Sequence, residues 1–326
     1  MYNLGFDIGG TKCAVLLGDG RTDVDKEKII LKKIVFPTGN GPDATLDTAF
    51  GFIDDIFQEF SLKPEQINGI GISCGGPLDA ESGRILGPPN LVGWDDVPVV
   101  DLFQRRYHID THIENDANAC AVAEWKFGAA KGCRNAIFLT FGTGMGAGII
   151  LNGGLYRGTN SMAGEVGHIR LSEFGPVGYG KIGSFEGFCS GGGIAQLAKQ
   201  MVLERLQIGE KPPICPSLAE LPNLTAKSVG DAADNGDPLA REIYEISGRY
   251  LGRGLAVLID ILNPEMIAIG SIYQRSEHLL RPEMMKVLEH ESLGLARRVC
   301  KIVPSALGDN IGDYAALSLA LLHPGS

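Results

Sequence analysis

The chain has 326 residues, enough for two domains of ordinary size, with 44% apolar and 21% charged residues. Its formal net charge is −10, which argues against a nucleic-acid-binding surface, since that needs a basic patch. The charge leaves small anionic ligands open, because backbone amides and local lysines hold them without net positive charge.

The opening MYNLGFDIGG carries no basic segment, long apolar segment or small-residue cleavage site, so no signal peptide is expected. No apolar run approaches the ~20 residues that span a bilayer, and no membrane partner is expected. Seven cysteines (Cys13, Cys74, Cys120, Cys133, Cys189, Cys215 and Cys300) lie scattered without CxxC or CxC spacing. That pattern predicts reduced thiols in a cytoplasmic protein, and neither a disulfide frame nor a cysteine-built zinc site.

In chain order, Leu4–Ile8, Cys13–Leu17 and Ile29–Phe36 read as an antiparallel meander. Leu46, Ala49, Phe50, Ile53, Ile56, Phe57 and Phe60 then recur at helical spacing. INGIGISCGGP reads as a buried strand ending in a glycine pair and a proline, and a turn-rich loop follows to residue 98. Val99–Phe103 is expected to be helical, and a strand to end at Glu114–Asn115 with a helix from Asn118. A second strand–turn–strand, NAIFLTFGTGMGAGIILNGG, repeats the style of the first. Helices are predicted near Gly192–Leu206, Ala226–Asn235 and Pro238–Ile261, a strand at Met266–Ile269, and a last helix over Ile311–Leu322. Two halves that each open with a glycine-turned hairpin predict a duplicated α/β fold with a ligand cleft.

The chemistry-bearing residues cluster in these turns. In GFDIGGTK, Gly9 and Gly10 permit a tight turn with unobstructed N–H groups, Thr11 adds a hydroxyl and Lys12 a cation, a set that can cradle phosphate. Asp7 would be costly if buried alone and gains a partner beside a phosphate-bound divalent cation, directly or through water. The plainer alternative is a hairpin with a capping aspartate. Gly142-Thr143-Gly144-Met145-Gly146-Ala147-Gly148 clears one hairpin face of side chains, which suits either close packing or a second phosphate contact. In IENDANA, Asp116 is a candidate general base at a strand-to-helix junction; Asp116 or Asn118 as a helix cap is the alternative. Glu165 and His168 in AGEVGHIRL, Glu186 in GSFEGFCSGGG, and Asn90 and Asn115 make a polar set of the kind sugar hydroxyls need.

The ordered set DIGGTK, CGGP, PPNLVGW, ENDANA, FGTGMGAG, AGEVGH and FEGFCSGGG, followed by LNPEMIAIGS and LGDNIGDYAALSLAL, resembles the ROK (repressor, ORF, kinase) family of sugar kinases over nearly the whole chain. The resemblance implies an actin-like ATPase (ribonuclease H-like) duplicated α/β fold of two lobes around a central cleft. The smaller lobe would comprise 1–117 plus 309–326, and the larger 118–308. It implies ATP and Mg²⁺ as ligands. Asp7, Gly9, Gly10, Thr11 and Lys12 would form the first phosphate loop, with Asp7 near the metal. Gly142, Thr143 and Gly144 belong to the second. Gly270 would lie near the adenine, where Ser271 replaces the second glycine of a usual pair. Asp116 would be the catalytic base, and Asn90, Asn115, Glu165, His168 and Glu186 match sugar-binding positions. A homodimer is implied as well.

Two departures bear on function. The family usually follows GH with CxCGxxGCxE, whose three cysteines and histidine bind zinc; here those cysteines become Val177, Tyr179 and Ser184. A tetrahedral site cannot lose three of four ligands, so no structural zinc is expected, with Val177 and Tyr179 packing in its place. Repressor members carry a DNA-binding domain before the kinase-like part, and here the first phosphate motif starts at residue 5. The expectation is therefore an ATP-dependent hexose kinase acting on glucose, most simply at O6. The alternatives are an N-acetylglucosamine/N-acetylmannosamine kinase or fructokinase, a non-catalytic sugar sensor, and an actin-like ATPase that works by assembly.

Overall fold

The structure is a computed structural model that describes residues 1–23 and 25–322. Two five-stranded sheets share one strand order. The first comprises β1 (Tyr2–Ile8), β2 (Lys12–Asp19), β3 (Ile30–Pro37), β4 (Ile67–Cys74) and β5 (Thr111–Asn115), in the order β3-β2-β1-β4-β5. The second comprises β6 (Ala136–Leu139), β7 (Ala147–Leu151), β8 (Gly154–Leu155), β9 (Met266–Ile269) and β10 (Lys301–Pro304), in the order β8-β7-β6-β9-β10. Each is antiparallel at one edge and parallel at the other. This is the duplication that the two glycine-turned hairpins predict.

By its internal contacts the chain forms two compact units. The first holds Met1–Phe138, Gly148–Ala163 and, among the described residues, 306–322; the second holds Leu139–Ala147 and Gly164–Ser305. Residues 118–138 and 148–163 thus group with the N-terminal strands, whereas the sequence-based division puts them in the larger lobe.

In the first unit, strand alternation decides which side chains reach the chemistry. Leu4, Phe6 and Ile8 face a core shared with α1 (Pro42–Glu59) and α2 (Val99–Tyr107). Asn3, Gly5 and Asp7 point to the other face, where the last helix, Ile311–Leu319, lies on the sheet. That helix sits unusually close. A Cβ on Gly71 would come within 2.0 Å of the Ala316 carbonyl, and one on Gly5 within 3.1 Å of Ala316 Cβ. The α3 helix (Asp116–Phe127) packs beside it, and begins two residues earlier than expected.

The second unit is mainly helical: α4 (Phe185–Phe188), α5 (Gly191–Gln207), α6 (Ala226–Asp234), α7 (Pro238–Leu262) and α8 (Ile272–Glu291). Gly248 and Gly252 let α7 approach α8, where a Cβ would come within 2.5 Å of the Leu280 carbonyl and 2.6 Å of the Met284 carbonyl. Both α8 and β10 escape the sequence reading. Pro282 lies inside α8 and Ser276 is non-helical there, which breaks the pattern a helix normally shows. Among the described residues no helix is long and apolar enough to cross a membrane.

The sheet–helix contact yields a paired prediction. Gly71→Ala forces a methyl into backbone and should lower stability by about 3 kcal/mol or more. Gly51→Ala, on the exposed face of α1 with nothing within 4 Å of its Cβ, should raise it by about 0.5–1 kcal/mol. Denaturant melts of the two variants check both signs.

Candidate active site

In the first unit, β1, β4 and β5 run parallel side by side, so their C-terminal ends come together. Three candidate segments leave from there: the Gly9–Lys12 turn, the CGGP segment after Cys74, and Asn115–Asp116. The turn is closed by the Gly9 N–H donating to the Lys12 carbonyl at 3.2 Å. Gly10 is glycine for a steric reason: a Cβ there would stand 2.6 Å from the Asn90 carbonyl and 2.9 Å from Asn90 Cβ. The first phosphate-loop candidate and the Asn90 loop are therefore in direct contact.

Asp7 lies opposite Ser73 in the β1–β4 register. Burial first, then the charges of Asp313 and Asp116, push its pKa from 3.8 to about 6, against the opposing pull of Lys33 and a hydrogen bond with Ser73. Lys33 is shared, because its Nζ bonds Asp313 Oδ2 at 2.7 Å. Asp313 is a neighbour of the candidate site that sequence reasoning missed; its one signal is a carboxylate in the otherwise apolar IGDYAALSLAL. This carboxylate group holds too little positive charge, which suits a divalent cation. Among the described residues no three His, Cys, Asp or Glu side chains gather in metal-binding fashion, so such a cation would draw most ligands from phosphate and water.

Asp116 opens α3. Asn115 is the helix cap, its Oδ1 accepting the Asn118 N–H at 2.8 Å, so neither Asp116 nor Asn118 fills the capping alternative. The Asp116 carboxylate is reachable by solvent yet crowded by protein, and this desolvation raises its pKa against a 2.8 Å hydrogen bond from the Ala117 N–H. Behind it, buried Glu114 forms an ion pair with Arg157 and accepts a 3.0 Å hydrogen bond from Asn118 Nδ2. This fixes the strand end from which Asp116 projects. Nothing in the spacing of Glu114 and Arg157 reveals the pair.

In the second unit, the glycine hairpin 142–148 begins a cavity of about 890 Å³. Gly142, Thr143, Gly191 and Gly192 line one part of it, and the Gly191 N–H donates to the Gly142 carbonyl at 2.7 Å. The α5 helix starts there, capped by Ser190. Bare backbone beside a helix N-terminus fits phosphate; Leu224, Ile272 and Tyr244 supply apolar wall elsewhere in the cavity. Gly270 donates to the Leu139 carbonyl, and its neighbour Ser271 is the one that lines the cavity. Glu165 and His168 bracket one short turn, both exposed, and Glu186 lies beside it: a Cβ on Gly167 would come within 3.2 Å of Glu186 Cβ. The second unit thus brings these three together.

The zinc-segment residues correct one expectation. Val177 and Tyr179 do not pack inward; Val177 is 41% and Tyr179 91% exposed. They belong to a two-stranded ribbon, Val177–Gly178 with Lys181–Ile182, which turns outward at Tyr179 and Gly180 with positive φ. Tyr179 meets the His168 ring edge-on, centroids 6.4 Å apart. Ser184 alone is buried, as the cap of α4.

The raised pKa of Asp7 makes a stability prediction. Between pH ~4 and 6 the folded chain holds a proton there that the unfolded chain has lost. The associated stability is present below pH 4 and lost as pH rises through 6. Asp7→Asn should therefore stabilise the ligand-free protein at pH 7.5, by up to about 3 kcal/mol, and change it little at pH 4. Equal effects at both pH values in thermal melts would contradict this.

The ROK family model matches residues 3–322. A glucokinase of Halalkalibacterium halodurans is 34% identical over 286 residues, covering 86% of this chain and 83% of that protein. A xylose repressor of Caldicellulosiruptor bescii is 30% identical over 320 residues, covering 98% of this chain and 77% of that protein. The crystal structure of a ROK family glucokinase from Streptomyces griseus in complex with glucose and AMPPNP is 27% identical, with a TM-score of 0.71, covering 98% of this chain and 99% of that one. With these matches over the two sheets of one strand order, the fold is the actin-like ATPase fold, and the chain belongs to the ROK family.

Proposed function

We propose that the protein is an ATP-dependent hexose kinase that transfers the γ-phosphoryl group to a sugar hydroxyl, with glucose O6 as acceptor. The observation that carries the reading is Asp116: an accessible carboxylate of raised pKa, held at the same C-terminal end of the three parallel strands as Asp7 and the Gly9–Lys12 turn. The glucokinase relatives and the glucose- and AMPPNP-bound ROK structure support it. The repressor relatives show that the family also serves transcription. A net charge of −10 speaks against DNA as the ligand of this chain.

In this reading the sugar hydroxyls bond Asn90, Asn115, Glu165, His168 and Glu186. Asp116 takes the proton of the attacking hydroxyl, and its raised pKa makes it a better base than an ordinary aspartate. Gly9, Gly10, Thr11, Lys12, Gly142, Thr143 and Gly144 position the phosphates, which is most of what phosphoryl transfer asks of a protein. A divalent cation beside Asp7 supplies charge neutralisation on the transferring phosphoryl. Free cysteines throughout the described residues suit a cytoplasmic setting, and the homodimer rests on the family resemblance.

Steady-state kinetics with glucose test the assignments. Asp116→Asn should lose ~10²-fold or more in kcat while glucose affinity falls much less; near-normal kcat would remove Asp116 from the mechanism. Glu165→Gln should raise the glucose KM with a smaller change in kcat, and unchanged values of both would make Glu165 structural. Phosphorus NMR of the product should place the phosphate on O6.

A further inference from the structure

The second glycine hairpin is tethered at three places. At its base the Gly146 N–H donates to Thr140 Oγ1 at 2.8 Å, and the Thr140 N–H to the Gly146 carbonyl at 3.0 Å. On its first arm the Gly142 carbonyl accepts from Gly191 at 2.7 Å. On its second arm the Met145 N–H donates to Glu186 Oε2 at 3.0 Å, a charge-assisted bond from a side chain far along the sequence.

The surroundings are shaped to that bond. A Cβ on Gly144 would stand 2.8 Å from the same Oε2, so glycine is needed for the carboxylate to reach the next N–H. Beyond Met145, at the next peptide, a Cβ on Gly167 would come within 2.2 Å of the Met145 carbonyl. The Met145 side chain is buried. Glu186 itself stands in the first turn of α4, whose start is fixed by Ser184 accepting the Gly187 N–H at 3.1 Å. The carboxylate is thus held from a capped helix and the second arm of the hairpin is held by the carboxylate.

We propose that Glu186 is the positioning residue of the 142–148 hairpin and sets nucleotide affinity through it, apart from any contact it makes with sugar. The inference rests on the kinase reading, in which this hairpin holds phosphate. A plain sugar ligand has no influence on nucleotide binding when sugar is absent. A hairpin tether does, because its loss frees the backbone that must face the phosphates.

The test is calorimetric titration of the purified protein with AMPPNP and Mg²⁺ in the absence of sugar. Glu186→Ala should raise the Kd about tenfold. Glu186→Gln, whose amide oxygen still accepts from Met145, should stay within about threefold of the unchanged protein. Gly144→Ala displaces the carboxylate too and, because Gly144 itself belongs to the proposed phosphate contact, should raise the Kd at least as much as Glu186→Ala. Amide exchange of the peptide spanning 142–148 should quicken in both alanine variants and not in Glu186→Gln. If Glu186→Ala binds nucleotide as the unchanged protein does, the positioning role is wrong and the kinase reading stands. If the unchanged protein binds no nucleotide, both fall.

Discussion

The candidate site of the first unit is organised by the crowding of carboxylates around the ends of parallel strands. The charges of Asp313 and Asp116 act on Asp7, and Lys33 is the cation set against them. A protein selected for stability alone has no reason to keep Asp7 in a place that raises its pKa to about 6. The arrangement becomes favourable when a ligand brings positive charge, as a nucleotide-bound divalent cation does. The stability cost expected of Asp7 and the phosphate chemistry proposed for it have one source in these electrostatics.

Glycine makes that crowding possible. Gly5 and Gly71 bring the last helix, and with it Asp313, onto the face where Asp7 points. Gly10 brings the Asn90 loop against the first turn. In the second unit, Gly144 and Gly167 flank the Met145 peptide that Glu186 holds. These glycines clear space for backbone and carboxylate to meet, so site geometry and sheet packing cannot be altered separately.

The sequence makes the site's local parts legible and hides its long-range ones. Asp7 stands out as a carboxylate in an apolar strand, and the glycine runs mark both hairpins. IENDANA places Asp116 at a strand end, though the cap turned out to be Asn115, because the helix begins as soon as the strand stops. Asp313, Lys33 and the Glu114–Arg157 pair were illegible, since each acquires meaning from a partner distant in the chain. The α8 helix was hidden by Pro282 and by its polar composition. Val177 and Tyr179 were expected inside because metal ligands of the family stand there, but the ribbon turns them to solvent.

The most direct test of the central claim is ADP release from Mg²⁺–ATP across glucose, mannose, fructose, N-acetylglucosamine, N-acetylmannosamine and no sugar. A hexose kinase of the kind described gives sugar-dependent turnover, strongest with glucose and negligible without sugar. Folded protein that binds sugar and releases no ADP with any of them would contradict the account and mark the chain as a sugar sensor.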